Sequence, residues 1–347
     1  MSSQEKKMPY VRLGNSGLKV SRVILGTMQY GSKAWQDWVL DEEEGIKHIK
    51  HAYDAGIQTF DTANMYSNGL SEVILGKAIK QHNLPRDEIV VMTKVYGTVG
   101  KTYDADVISM PDVDAIGYVN QHGLSRKHIF DSVKHSLERL QLDYIDLLQC
   151  HRFDKDTPIA ETMQALHGVV KAGYVRYIGM SSCYAYQFHA MQTDYAINNK
   201  LTSFISMQNH HNLLYREEER EMFPTLEMFG VGAIPWSPLA RGLLCRPAGA
   251  ESTTRATTDP WTKIYQGSGS GDIINRVEEI AKKKQISMAQ VALAWSLSKN
   301  VISAPIVGTT SLRNLQEMID GVHITLAAEE IKYLEEPYQP TAVTGHV

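Results

Sequence analysis

The sequence predicts an α/β fold, an (α/β)8 TIM barrel, and two observations carry that expectation. An apolar strand-like run, a loop and a segment of helical period recur along the chain, which is the rhythm of βα units. Eight such runs are found between Val23 and Ile306, enough to close a parallel sheet on itself. The length of 347 residues suits either one large barrel or two ordinary domains. Repetition from end to end favours one barrel domain over residues 1–347, with an open doubly wound sheet as the alternative it displaces.

A hairpin comes first. In YVRLGNSGLKVSRVILG apolar and polar residues alternate on both sides of Gly14-Asn15-Ser16-Gly17, so residues 8–22 are expected to form two short antiparallel strands. The barrel strands are expected at Val23–Leu25, Thr59–Asp61, Ile89–Val95, Ile145–Gln149, Tyr177–Met180, Ile205–Gln208, Gly232–Trp236 and Ile302–Ile306. Helical spacing marks Leu70–Lys80, Ile129–Leu140 and Thr162–Ala172, and the basic run Lys282–Lys284 reads as the end of another amphipathic helix. Residues 96–125 and 237–272 form connections longer than ordinary loops. Both follow strands, which assigns them to the C-terminal rim, where barrel sites lie. The stretch GSGSG, Gly267–Gly271, follows no strand and reads as a flexible hinge rather than a phosphate loop.

With 43% hydrophobic and 21% charged residues the chain has ample material for a core. A formal charge of -4 and a pI near 6.4 leave no electrostatic footprint for nucleic acid. No apolar run has the length of a membrane span and MSSQEKKMPY lacks a signal-type apolar region, so a soluble, cytoplasmic protein is expected. Cys150, Cys183 and Cys245 are far apart and odd in number, which fits free thiols better than disulfides or zinc. The adjacent His210 and His211 would point to opposite faces of a strand, so no metal is expected.

Side chains at the C-terminal tips of barrel strands share one mouth, so polar residues there are informative when several strands supply them. Asp61 ends the second strand, Tyr66 lies on the loop beyond it, Lys94 ends the third and His151 follows the fourth. Taken singly, each has an ordinary reading as a turn cap, a snorkelling lysine, a packed phenol or a hydrogen-bonded imidazole. Taken together, they form an acid, a phenol, an ammonium and an imidazole brought close by barrel closure, which points to catalysis. A phenol, with a pKa of about 10, is a poor proton donor at neutral pH, and an adjacent ammonium stabilises its phenolate. A lysine withdrawn from water needs a counter-charge such as Asp61, and His151 can donate a hydrogen bond to a substrate oxygen. The set suits a carbonyl oxygen gaining a proton. None of the four carries electrons, so reduction would require a redox cofactor.

The strings FDTANMYSNGLSEVILGKAI, VVMTKV, YIDLLQCHRFD, VVKAGYVRYIGMSS, MQNHHNLLYR, PWSPLARGLL and PIVGTT resemble the aldo-keto reductase superfamily, in the same order and over nearly the whole chain. GLSRKHI and NLLYREEERE are most similar to its fungal aryl-alcohol dehydrogenase and versiconal hemiacetal acetate reductase-like group. The resemblance implies a barrel closed at its base by the hairpin, with NADP(H) bound without a Rossmann motif. It implies Tyr66 as general acid in reduction, Lys94 as its partner, Asp61 as the partner of Lys94, and His151 orienting the carbonyl. It also implies cofactor contacts at Gly26, Thr27, Met28, Asp61, Ser181, Ser182 and Gln208. Trp236 would lie against the nicotinamide ring or pack in the core. Ser237, Pro238, Leu239 and Arg241 would wrap the pyrophosphate, and Gly308, Thr309, Thr310, Arg313 and Asn314 would face the adenosine 2'-phosphate.

The chain departs from the family pattern at Gly308, where many relatives carry lysine, at Asn314 (arginine or glutamine), at Met318 (asparagine) and at Ser182 (often asparagine). Arg313 is the cation left near the phosphate. Met28, Tyr30, Trp35, Trp38, Tyr96, His210 and Trp236 are expected to line the substrate pocket, where aromatic rings suit an aryl aldehyde. The expected partner is thus a small carbonyl compound, with the protein a monomer or weak homo-oligomer. A redox sensor that binds NADPH with little turnover is the alternative. His151 counts against it, because the sensor-like relatives have asparagine there.

Overall fold

The computed structural model describes residues 8–250, 253–265, 267 and 269–346. Two short antiparallel strands, β1 (Tyr10–Arg12) and β2 (Lys19–Ser21), form the expected hairpin, with Val11 opposite Val20. Parallel strands follow: β3 (Ile24–Gly26), β4 (Thr59–Asp61), β5 (Val90–Val95), β6 (Ile145–Cys150), β7 (Val175–Ser181), β8 (Phe204–Gln208), β9 (Gly232–Ala233) and β10 (Ile306–Val307). Their order is β10-β3-β4-β5-β6-β7-β8-β9. The two ends of that order meet, because Ala233 bridges Ile302 in parallel and the Ile306 N–H donates to the Pro235 carbonyl at 2.9 Å. The sheet closes into an (α/β)8 barrel.

Closure also explains where the last strand differs from its expected position at Ile302–Ile306. Pro305 has no N–H to give a ladder. Residues before it bond to β9, through Ser303 N–H to Ala233 O, and its own carbonyl accepts from Ile24 of β3 at 3.0 Å. Bonds to the two neighbours therefore alternate along one extended segment, with Ile306 N–H returning to the Pro235 carbonyl. The seventh strand is likewise shorter than Gly232–Trp236, although Ile234 and Trp236 still donate to the carbonyls of Met207 and Asn209.

The helices are α1 (Glu42–Asp54), α2 (Leu70–Gln81), α3 (Arg126–Leu140), α4 (Ile159–Lys171), α5 (Ala185–His189), α6 (Met222–Phe229), α7 (Thr254–Thr258), α8 (Ser270–Lys284), α9 (Met288–Leu297), α10 (Leu312–Gly321) and α11 (Ala328–Glu335). Several start where a side-chain oxygen accepts an otherwise orphaned N–H: Asp41 from Glu44, Ser125 from His128, Ser287 from Gln290 and Ser311 from Asn314. Lys282–Lys284 occupies the last turn of α8. The glycine-rich stretch does not form a free hinge over its described part. Gly269 has φ +84° and caps α8, and a Cβ there would lie 2.3 Å from the Pro337 carbonyl oxygen. Ser268 lies outside the described residues.

The two rim segments differ from each other. Residues 96–125 contain no helix or strand and are pinned by side chains, including Asn68 Oδ1, which accepts from Gly100 N–H at 2.9 Å. Residues 237–272 are not structureless, for they hold 3-10 turns at Ala240–Cys245 and Pro260–Tyr265, the whole of α7 and the start of α8.

Among the described residues apolar side chains form three clusters: one gathers Tyr215, Leu244, Val277 and Trp295, and the other two are layers of the barrel. One lies between strands and helices and includes Phe60, Val91, Leu148 and Met207. The other fills the lower barrel with Ile24, Val90, Met92, Leu147, Ile234 and Ile306, beneath which the hairpin inserts Leu13 and Val20. Gly14, at φ +56°, lets the hairpin reach the barrel floor: a Cβ there would fall 2.4 Å from Gly230 O.

Candidate active site

Period-two alternation decides which side chains enter the barrel. In β5, Val90 and Met92 face the apolar interior, and Lys94 continues that face; in β6, Leu147 is followed by Gln149. The ladder sets Lys94 beside Gln149 and Ser181 beside Gln208. A polar layer of Asp61, Lys94, Gln149 and Gln208 therefore sits on the apolar plug, none of the four more than 3% exposed.

The layer is wired around Asp61. Lys94 Nζ lies 2.5 Å from Asp61 Oδ2, and the amide nitrogens of Gln149 and Gln208 each donate to Oδ1 at 2.9 Å. Gln208 also donates to Gln149 Oε1 at 2.9 Å. Lys94 further donates to the Thr62 carbonyl at 2.7 Å and to Tyr66 Oη at 3.3 Å. Burial works to lower the Lys94 pKa, but Asp61 and Tyr66 outweigh it and the net direction is upward, so the ammonium stays charged.

Tyr66 owes its position to the chain beyond β4. Ser67 and Asn68 adopt left-handed φ values of 47° and 51°, which costs energy in residues other than glycine. Both are held by side-chain bonds: Ser67 Oγ accepts from Ser32 N–H at 3.1 Å, and Asn68 Nδ2 donates to Ala105 O at 2.8 Å. That turn places the Tyr66 ring edge-on to His151, 5.8 Å between centroids. His151 is fixed by its backbone N–H to Val95 O. Burial first, then the charges of Arg152 and Lys94, push its pKa well below the ordinary imidazole value, so it is neutral at pH 7. Its Nδ1 is buried with no hydrogen-bond partner among the described residues.

Over this layer opens a cleft of about 1280 Å³. Asp61, Tyr66 and His151 line it, with Lys94 buried just behind. The proposed cofactor side is also represented: Gly26, Thr27, Met28, Ser181, Gln208, Trp236, Ser237, Pro238, Leu239, Arg241, Gly308, Thr309, Thr310, Arg313 and Asn314 all line the cleft. Ser182 does not; it is buried behind the wall and accepts from Trp236 Nε1 at 3.1 Å. At Gly308 the terminal amide of Gln29 fills the space that a side chain would take, a Cβ falling 1.8 Å from Gln29 Nε2.

On the substrate side Trp35 and Trp38 line the cleft, whereas Tyr30, Tyr96 and His210 do not. Tyr30 is fully buried against His48 in the main core. Tyr96 is half-buried on that same core. His210 is sandwiched between Tyr215 (4.2 Å) and Trp236 (4.1 Å), so it backs the Trp236 wall instead of facing the cleft. His211 turns the other way, to Glu219 at 2.9 Å. Among the described residues no group of three or more His, Cys, Asp or Glu converges as metal ligands would.

Three features escaped the sequence reading. Gln149 had a signal, because alternation along IDLLQC puts it on the face of Leu147. Arg152 lines the cleft directly after His151. Asp259 pairs with Arg241 and Arg255 within the second rim segment, while Arg255 lies 4.3 Å over the Trp38 ring and the Thr258 hydroxyl donates to Asp37 Oδ1 at 3.0 Å, so that segment is tied to the first loop across the cleft. No local pattern announces that long-range pairing.

The aldo/keto reductase family profile matches residues 22–339. A versiconal hemiacetal acetate reductase of Aspergillus parasiticus is 51% identical over 341 residues, covering 97% of this chain and 98% of that protein. A Schizosaccharomyces pombe protein named "Putative aryl-alcohol dehydrogenase" is 50% identical over 356 residues, covering 100% of both. An aldo-keto reductase of Alternaria alternata is 47% identical across 99% of this chain and 95% of its own. Fold and relatives together define an oxidoreductase of the α/β-barrel class. The chain belongs to the aldo/keto reductase family, which carries out carbonyl reduction and generally uses NAD(P)H.

Proposed function

We propose that this protein is an NADPH-dependent reductase of aldehydes, aryl aldehydes foremost and some ketones, with Tyr66 as proton donor. The observation that carries the reading is the Lys94 ammonium placed 3.3 Å from the Tyr66 hydroxyl and 2.5 Å from the Asp61 carboxylate at the floor of the cleft.

The residues present fit a dinucleotide. At about 1280 Å³ the cleft exceeds the roughly 300–1,000 Å³ of ordinary small-molecule pockets. Thr309, Thr310, Arg313 and Asn314 line it around the N-terminus of α10, an end that favours anions and is suited to the extra phosphate of NADPH. Ser181 and Gln208 offer amide-binding groups at neighbouring strand ends. When bound, the cofactor supplies hydride to the carbonyl carbon.

The protein supplies the rest. Tyr66 gives its phenolic proton to the carbonyl oxygen, and the Lys94 ammonium stabilises the phenolate left behind. Asp61 keeps that ammonium charged and aimed, while Gln149 and Gln208 hold the carboxylate still. Neutral His151 has one ring N–H to donate to the carbonyl oxygen, which orients it toward Tyr66. Trp35 and Trp38 offer planar apolar walls for an aryl ring.

Fluorescence titration with NADPH and NADH, followed by rates on aromatic and aliphatic aldehydes, tests the reading. Tighter NADPH binding with turnover of aryl aldehydes is expected. Tight binding with no turnover would instead favour a cofactor-sensing role.

A further inference from the structure

Arg152 follows β6 by two residues, lines the cleft and pairs with no carboxylate among the described residues. Other partly buried arginines are matched: Arg86 to Asp146, Arg139 to Glu72, Arg216 to Glu219, Arg241 and Arg255 to Asp259, and Arg22 to three backbone carbonyls. Among the described residues no carboxylate lies within ion-pair distance of Arg152, and its one hydrogen bond is from Nη1 to the His151 carbonyl at 2.6 Å. Asp154, two residues on, is committed elsewhere: it accepts from the N–H of Leu124 and of Asp156 and from the Thr157 hydroxyl. A guanidinium has five N–H donors in a planar fork, so most of this one is unanswered by protein. Burial lowers its pKa from the ordinary guanidinium value although Tyr66 and Tyr96 favour its charge, and it shares the cleft wall with Tyr66 and His151.

Its place in the barrel indicates what it addresses. In the closed ring β6 lies four strands from β10 in either direction, directly across from the Gly308–Asn314 segment that suits cofactor phosphate. An anion at Arg152 is therefore a different group from that phosphate. A partly buried guanidinium facing the cleft with free donors is open to an anion, and a carboxylate can answer its fork with two parallel hydrogen bonds.

We infer that Arg152 is a specificity residue of the substrate pocket, selecting carbonyl compounds that carry a carboxylate which pairs with its guanidinium while the carbonyl oxygen meets Tyr66 and His151. This rests on the reductase reading above.

The test uses the whole chain with benzaldehyde, the three methylbenzaldehydes and the three carboxybenzaldehydes, in wild type, Arg152→Met and Arg152→Lys. In wild type at least one carboxybenzaldehyde should exceed its methyl counterpart in kcat/KM by about tenfold, as a charged hydrogen bond allows. That ratio should collapse in Arg152→Met and be intermediate in Arg152→Lys. No charged isomer favoured in wild type, or a ratio unchanged by Arg152→Met, overturns the assignment. Equal losses on charged and neutral aldehydes do the same, because they leave Arg152 a support for the fold or for Tyr66. Binding of benzoate against benzamide, followed by tryptophan fluorescence, reads the subsite without turnover and remains informative with Arg152→Lys should Arg152→Met fail to fold. Absence of a benzoate preference in wild type sinks the proposal. If instead wild type reduces no aldehyde yet binds benzoate through Arg152, the reductase reading fails and the subsite stands.

Discussion

Lys94 shows how a strand's alternation becomes chemistry. It is the third inward residue of β5 after Val90 and Met92, and an ammonium so placed survives only with partners at hand. Tyr66→Phe is expected to lower kcat by about 10²–10⁴-fold, the range of a positioned proton donor, with NADPH affinity largely kept. Stopped-flow rates and a cofactor titration check the two halves of that statement. Lys94→Met should lose rate on a similar scale, with the added cost of leaving Asp61 buried without its cation. Gln149→Leu removes a donor from Asp61 and an acceptor from Gln208 together, and a loss of about 1–3 kcal/mol in stability is expected by denaturant titration, with reduced kcat. Asp61, Lys94 and His151 were legible because each ends or follows an apolar run, and Tyr66 because it lies on the loop just beyond Asp61. Gln149 was hidden only because glutamine is a plain amide. Tyr30 and His210 misled because aromatic character says nothing about which side of a wall a ring occupies.

Element boundaries were read where side-chain pattern governs them. Thr59–Asp61 forms its strand over the expected residues, and α2 extends one residue past the expected Lys80. β10 lies at Ile306–Val307 and not at Ile302–Ile306 because Pro305 has no N–H to give a ladder, and α7 is only five residues long, too short to show helical period. The hairpin depends on one backbone approach. Gly14→Ala puts a Cβ 2.4 Å from Gly230 O and 2.6 Å from Gly232 N at a left-handed φ. A destabilisation of about 1–3 kcal/mol is expected, seen as a lower urea midpoint. An unchanged midpoint would mean that the floor of the barrel yields easily.

At the scale of the molecule, buried imidazoles set the response to acid. His48, His128, His151, His210 and His211 all have pKa values pushed below 6.5, burial being the first cause in each. The unfolded chain takes up protons at these sites near pH 6.5 while the folded one resists, so stability falls as pH drops below that point. Each histidine contributes at most about 1.4 kcal/mol per pH unit. A clear fall in Tm between pH 7.5 and 5.5 is expected, and a flat profile would show that these rings charge freely when folded. The closed ring of eight strands was foreseeable from repetition; the tie of Arg255 and Thr258 to Trp38 and Asp37 across the cleft was not, since partners so far apart in sequence leave no local trace. The apolar plug under the polar layer has a further consequence. A vessel stoppered at one end is filled and emptied through the other, so whatever rests deepest against Asp61 and Gln208 has to arrive first and depart last. Product-inhibition patterns should reveal that queue.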